Sequence, residues 1–205
     1  FVIAGSVIGL YLNYVCGKNV ILILGVIGVF LGFFYSARPL QIGYGSFGEI
    51  ATGVGFGPLM VMGAYYVGAR TLDLRVFLIS IPIGILIALV LFINEFPDYI
   101  GDKAVNKRTL VVILGKKKAI MLYYLFLGAV YVIITGLTAV KFLPYTCLIT
   151  FLSLPIALKA LSIAKNNYEK VHELLPVNAA TIALHAMIGL LLCAGIVIDK
   201  IFILW

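Results

Sequence analysis

Apolar residues along this chain fall into long unbroken stretches separated by short polar punctuation, and the stretches have the length of a membrane crossing. Val76 to Ile93 is the clearest, holding Ser80, Pro82 and Gly84 as its only interruptions. A spanning helix needs about 20 such residues, and the runs and their Gly, Pro and polar boundaries predict seven helices, at about 1–16, 20–37, 48–68, 76–96, 119–140, 142–163 and 178–198. Strict period-two alternation in segments of about ten residues would mark a membrane β-barrel, and the pattern lacks it. The expected fold class is therefore all-α, a polytopic transmembrane helix bundle forming a single domain over residues 1–205. Gly-x-x-x-Gly spacings at Gly5/Gly9, Gly28/Gly32 and Gly53/Gly57 predict close helix crossings. The cluster Gly53, Gly55, Gly57 lacks the Gly-Lys-Ser/Thr ending of a phosphate-binding loop, so it reads as a crossing.

Composition supports the membrane reading. Of 205 residues, 63% are hydrophobic and 11% charged, with a mean hydropathy of +1.18, whereas soluble domains carry about a quarter charged residues. Little is left for a soluble domain between spans. The net charge of +7 fits loops facing an anionic lipid leaflet, with membrane lipids and no nucleic acid as the expected partner. Alternating loops place Arg38, Lys103, Lys107, Arg108, Lys116, Lys117, Lys118, Lys159, Lys165 and Lys170 on one side, and Lys18, Arg70, Arg75, Lys141 and Lys200 on the other. The richer side is expected to be cytoplasmic. The stretch Lys165 to Pro176 reads as a polar interhelical loop. Cys16, Cys147 and Cys193 are scattered, without metal-ligand spacing, and read as apolar fillers. His172 and His185 have no neighbours that would give them a role and read as structural. Phe1 opens inside an apolar run without an initiator Met, from which we expect further residues upstream.

Among only eight acidic residues, three crowd into Asn94-Glu95-Phe96-Pro97-Asp98-Tyr99-Ile100-Gly101-Asp102. On a helix Asn94, Asp98 and Asp102 would share a face at steps of about 6 Å, close enough to hold one ion; Pro97 would bend that face. Adjacent carboxylates at a membrane boundary repel one another, and a cation relieves them. Oxygen donors without His or Cys point to Mg²⁺. The following stretch supplies Lys103, Lys107, Arg108 and Lys116 to Lys118, so carboxylates for the metal stand beside cations for phosphate oxygens, the makings of a diphosphate site. The triplet Lys116 to Lys118 reads more readily as an orientation signal.

These residues resemble the UbiA superfamily of intramembrane prenyltransferases. Asn94-x-x-x-Asp98-x-x-x-Asp102 followed by Lys107-Arg108-Thr109-Leu110-Val111-Val112-x-Leu114-Gly115 is similar to the family's second aspartate-rich motif. Tyr35-Ser36-Ala37-Arg38-Pro39, Gly43-Tyr44, Gly48-Glu49, Gly55-Phe56-Gly57-Pro58-Leu59 and Gly63-Ala64-Tyr65-Tyr66 are similar to its MenA-type branch, which prenylates dihydroxynaphthoate. The sequence departs from that branch at Pro97, where arginine is common, and at Asn106, where glycine is usual. The family has about nine spanning helices and a first aspartate-rich motif that is not found before residue 94. Roughly two helices carrying that motif are therefore expected upstream.

The resemblance implies an Mg²⁺-dependent enzyme that moves an isoprenyl group from an isoprenyl diphosphate to an aromatic acceptor. It implies a metal site at Asp98, Asp102 and Asn94, diphosphate contacts from Lys103, Lys107, Arg108 and Arg38, and a substrate cavity near Tyr35, Tyr44 and Glu49. Tyr65 and Tyr66 are further candidates for that cavity, and all four tyrosines equally suit interfacial anchors. Glu49 suits a helix N-terminus as well as a site. Two alternatives stay open: the same chemistry on a glycerol-phosphate lipid precursor, and a membrane transporter, which would place an acid near the bilayer midplane.

Overall fold

The computed structural model describes residues 2–203, and they are predominantly helical, without a strand among the described residues. We number the helices α1 (Val2–Cys16), α2 (Val20–Ser36), α3 (Gly48–Ala69), α4 (Leu74–Ala104), α5 (Leu110–Leu114), α6 (Lys116–Ala139), α7 (Leu154–Asn167) and α8 (Val171–Ile203). A 3₁₀ segment, Tyr145–Ser153, leads into α7, and a short 3₁₀ turn, Ile42–Tyr44, precedes α3. Helices α3, α4, α6, the Tyr145–Asn167 unit and α8 are each long and apolar enough to cross a bilayer, while α1 and α2 are shorter apolar helices. The chain is thus an integral membrane protein.

Every predicted span is a helix, but two boundaries move. Helix α4 continues past Pro97 to Ala104. The polar stretch Lys165 to Pro176, expected as a loop, is mostly helix: α7 runs to Asn167 and α8 begins at Val171, with a Lys170–Glu173 ion pair of 3.0 Å at the junction. The reason is that hydropathy marks the part of a helix inside the bilayer, and the backbone hydrogen-bond ladder continues beyond it, where polar side chains meet water at no cost.

Local chemistry explains the irregular places. Pro58 lies inside α3 in a widened π turn, Gly55–Leu59; a proline has no N–H to donate and crowds the preceding turn, and the wider turn relieves that crowding. Asp73 caps α4, accepting from the Arg75 backbone N–H at 2.8 Å. Helices α4, α6 and α8 meet through Leu86, Ile93, Phe96, Tyr123, Leu184 and Ile188, all essentially inaccessible. Two tyrosine hydroxyls buried in that core are paired, Tyr123 with Thr181 and Tyr131 with Ser153, each at 2.7 Å.

Of the glycine spacings, one makes the predicted crossing. A Cβ on Gly57 would lie 2.6 Å from Gly84 Cα, and one on Gly53 would lie 3.0 Å from the Gly84 carbonyl oxygen, so α3 rests backbone to backbone on α4. At Gly5, Gly9, Gly28 and Gly32 nothing lies within 4 Å of such an atom, and α1 and α2 bury no residue. The crossings expected there do not occur among the described residues.

Contacts define the two ends of the bundle. At one, the Arg108 N–H donates to the Tyr44 carbonyl (2.8 Å) and Asn178 donates to Asn94 (2.6 Å). At the other, the Tyr66 hydroxyl donates to the Gly17 carbonyl (3.2 Å), Arg75 stacks 5.6 Å from the Phe142 ring, and Thr146 donates to the Gly195 carbonyl (2.6 Å). This up-and-down order gathers the basic loops in the two predicted groups.

Candidate active site

Because α4 stays helical through the acidic motif, Asn94, Asp98 and Asp102 stand one turn apart, with Cβ spacings of about 5–6 Å. Asp98 is exposed. Asp102 accepts from Lys107 Nζ at 3.0 Å. Asn94 is held across the bundle, its side-chain oxygen accepting from Asn178 of α8; that oxygen keeps a second lone pair for another partner.

The basic loop folds back on the same helix end. The Lys107 N–H donates to the Asp102 carbonyl at 2.9 Å, and the Arg108 N–H reaches Tyr44 on the link before α3. The reversal passes through Asn106 with φ of 56°, a left-handed conformation that glycine adopts freely and asparagine tolerates better than most residues. That accounts for asparagine at a position where glycine was expected. Thr109 then caps α5, accepting from the Val112 N–H at 3.4 Å. Burial draws the Lys107 pKa down, but the hydrogen bond and charge of Asp102, with Glu95 and Asp98 beyond it, push harder, leaving it above its usual 10.5. Lys103 and Lys116 both approach the motif's own Tyr99 ring, at 6.0 and 5.5 Å, so the cationic pole extends to the start of α6.

The motif face thus unites Asn94, Asp98, Asp102, Lys103, Lys107 and Arg108 at one helix end. Arg38 is exposed on the link after α2, and neither of the two ion pairs among the described residues involves it. Tyr35 packs its ring on Gly43, where a Cβ would lie 2.6 Å away, and supports the turn before α3. Tyr44 is half exposed and shares an open depression with Arg108. Tyr66 belongs to the opposite end of the bundle, at Gly17.

Glu49 lies at the start of α3 and is 5% exposed; Glu95 on α4 is 6% exposed, and the two carboxyl groups adjoin, with Lys107 as a cation acting on both. Sequence reasoning named Glu49 but gave Glu95 no role. The signal was available: an ionisable residue within an apolar span costs enough to need a reason. Beside Glu49 lies an open apolar cavity of about 410 Å³ between α3, α4 and α6, to which its buried carboxyl oxygens contribute almost no surface, within the size range of small-molecule pockets.

Among the described residues no three His, Cys, Asp or Glu side chains cluster as a complete metal site. Two carboxylates and an amide oxygen are nevertheless a fitting set for Mg²⁺, which takes one or two carboxylates from protein and fills its shell with phosphate oxygens and water.

Comparison with known proteins decides the lineage. Residues 1–184 match the UbiA prenyltransferase family. The chain belongs to that family. Among UbiA relatives, 1,4-dihydroxy-2-naphthoate octaprenyltransferase of Bacillus subtilis (strain 168) is 27% identical over 188 residues, covering 91% of this chain and 60% of the relative. The 2-carboxy-1,4-naphthoquinone phytyltransferase of Synechocystis sp. (strain PCC 6803) is 29% identical, covering 84% of this chain and 57% of its own length. The 1,4-dihydroxy-2-naphthoate octaprenyltransferase of Escherichia coli (strain K12) is 38% identical over 98 residues, 48% of this chain and 32% of the relative. The chain thus spans 60% or less of these UbiA relatives. No solved structure matches.

Proposed function

We propose that this protein is an Mg²⁺-dependent prenyltransferase moving an isoprenyl group from an isoprenyl diphosphate to a naphthoate-type aromatic acceptor, with its charged site on the cytoplasmic side. The observation that carries the reading is the meeting of Asp98, Asp102 and Lys107 at one helix end, next to an apolar cavity in a UbiA-family chain. Both named relatives with the broadest coverage given above act on naphthalene-ring acceptors by their printed names.

Asp98, Asp102 and Asn94 would hold the metal, which when bound supplies positive charge to a diphosphate that gains negative charge as its bond to the isoprenyl carbon breaks. Asn178 keeps the Asn94 oxygen oriented through their 2.6 Å hydrogen bond. Lys107, kept protonated by Asp102, with Arg108 and Lys103 beside it, meets the outer diphosphate oxygens. These cations favour the separated leaving group more than the bound ester, which is what lowers the barrier. The apolar bundle excludes water that would otherwise capture an electron-poor isoprenyl carbon.

Transfer from an isoprenyl diphosphate to 1,4-dihydroxy-2-naphthoate, measured in membranes with and without Mg²⁺, tests the proposal. Asp98→Ala and Asp102→Ala are each expected to lower the rate about 100-fold or more, the scale of losing a principal charge-stabilising group. Wild-type rates in either variant would overturn the assigned site.

A further inference from the structure

Between α2 and α3 the chain leaves an open depression of about 650 Å³, capped by the link before α3 and by the turn of the basic loop. Its residues sort by depth. Gln41 and Tyr44 of the link and Asn106 and Arg108 of the loop form a polar rim at the end of the bundle that carries the acidic motif. Leu31, Ile50, Ala51 and Val54 form the walls along the two helices. From Gly48 to Val54 helix α3 advances roughly 9 Å, which carries the walls from headgroup level into the hydrocarbon of a bilayer. Ile50 is 57% and Val54 38% exposed, so these walls face the surrounding membrane. The Arg108 backbone is tied to the Tyr44 carbonyl, while its exposed side chain joins neither of the two ion pairs among the described residues.

We infer that this groove seats a glycerophospholipid of net negative charge, with its phosphate at Arg108 and an acyl chain along Ile50 and Val54. Charge and shape both match. A guanidinium fork meets two phosphate oxygens at once, and the amides of Gln41 and Asn106 have N–H donors for the other oxygens of the head. Hydrocarbon of some kind covers apolar walls in any bilayer, and Arg108 selects the lipid whose head is anionic.

An isoprenyl diphosphate has a similar amphiphilic plan and fits the groove less well. Its head carries several negative charges and calls for a metal and more than one cation, yet Asn94, Asp98, Asp102 and Lys107 are not part of this lining. A phosphodiester carries a single negative charge, which Arg108 balances alone. Because Arg108 also stands on the face proposed for the diphosphate, lipid binding is to be read without donor, metal or turnover, and it does not depend on the prenyl-transfer reading.

Photocrosslinking in lipid nanodiscs tests the assignment. The probes are phosphatidylglycerol and phosphatidylcholine with the same diazirine-bearing acyl chains, in buffer with EDTA, and crosslinked peptides are mapped by mass spectrometry. At Ile50 to Val54 the wild type is expected to capture the anionic lipid about fivefold more than the zwitterionic one, the scale of one interfacial cation. Arg108→Gln should bring the two lipids to parity at that segment. Lys165→Gln removes the same charge from an exposed position on α7 at the same end and should leave the preference intact. Ala51→Phe, which fills the groove, should lower capture of both probes. Equal capture of the two lipids by the wild type would overturn the assignment without any variant having to fold. So would an equal loss in Lys165→Gln and Arg108→Gln, which would reduce the effect to the general field of the basic loops. Removal of the crosslinks by farnesyl diphosphate, still in EDTA, would also overturn it and give the groove to the isoprenyl donor.

Discussion

Lys107 concentrates the residue-scale physics of the site. It is three-quarters enclosed, as its side chain retains 24% of its exposure, and Asp102 retains 13%, which places the pair between a surface bridge and a buried one. Removing one partner is expected to cost about 1–2 kcal/mol of folding stability, intermediate between the two classes. The sign of its pH dependence follows from the raised pKa: the stabilisation is complete below the usual 10.5 and disappears as pH climbs through the higher folded value. Thermal unfolding of Lys107→Met in detergent should therefore show a constant deficit against wild type at neutral pH that closes in strongly alkaline buffer. Asp98 and Asp102 could be singled out beforehand because acids are scarce here and their spacing is helical. The Asn94–Asn178 hydrogen bond could not, since 84 residues separate its partners.

At the scale of elements, the decisive feature is the α3–α4 crossing. Gly53, Gly57 and Gly84 allow the two backbones to touch, and that approach brings Glu49 beside Glu95 and forms one edge of the cavity. A methyl at Gly57 has backbone rather than a flexible side chain to displace, so Gly57→Ala is expected to destabilise the fold by about 1–3 kcal/mol, the usual cost of overpacking. Gly128→Ala is the matching control, because that position on α6 is exposed with nothing within 4 Å and alanine is the better helix former by about 1 kcal/mol. Unfolding midpoints measured side by side should fall for the first and hold or rise for the second. The spacing Gly53/Gly57 revealed this crossing, yet the same spacing in α1 and α2 meets no partner among the described residues. A motif of small residues states that a backbone can be approached, and only the packing states whether it is.

For the whole molecule, the charge distribution is the feature that bears on function. The end carrying the acidic motif also carries ten of the fifteen basic residues, and hydrogen bonds between elements keep those loops together. A cytoplasmic location for this end makes a direct topological prediction. With Cys16 and Cys193 replaced by serine, a membrane-impermeant maleimide added to intact cells should label Lys141→Cys and leave Lys117→Cys unlabelled until the membrane is opened. The reverse pattern would invert the assignment.

What the sequence by itself determined is whatever depends on one segment at a time: the membrane-length runs, the all-helical class, the face shared by Asn94, Asp98 and Asp102, the basic stretch behind it and the segregation of charge. Each follows from hydropathy or from the helical repeat, which are properties of neighbours along the chain. Tertiary structure decided what depends on two helices at once. It set Glu49 against Glu95, left an open apolar cavity between α3, α4 and α6, and tied Asn94 to Asn178 across the bundle. It also showed which glycine pairs are crossings. Those outcomes turn on the crossing of α3 over α4 and the packing of α4 against α8, where fractions of an ångström between backbones determine which side chains meet, and no periodicity within a single helix encodes that distance.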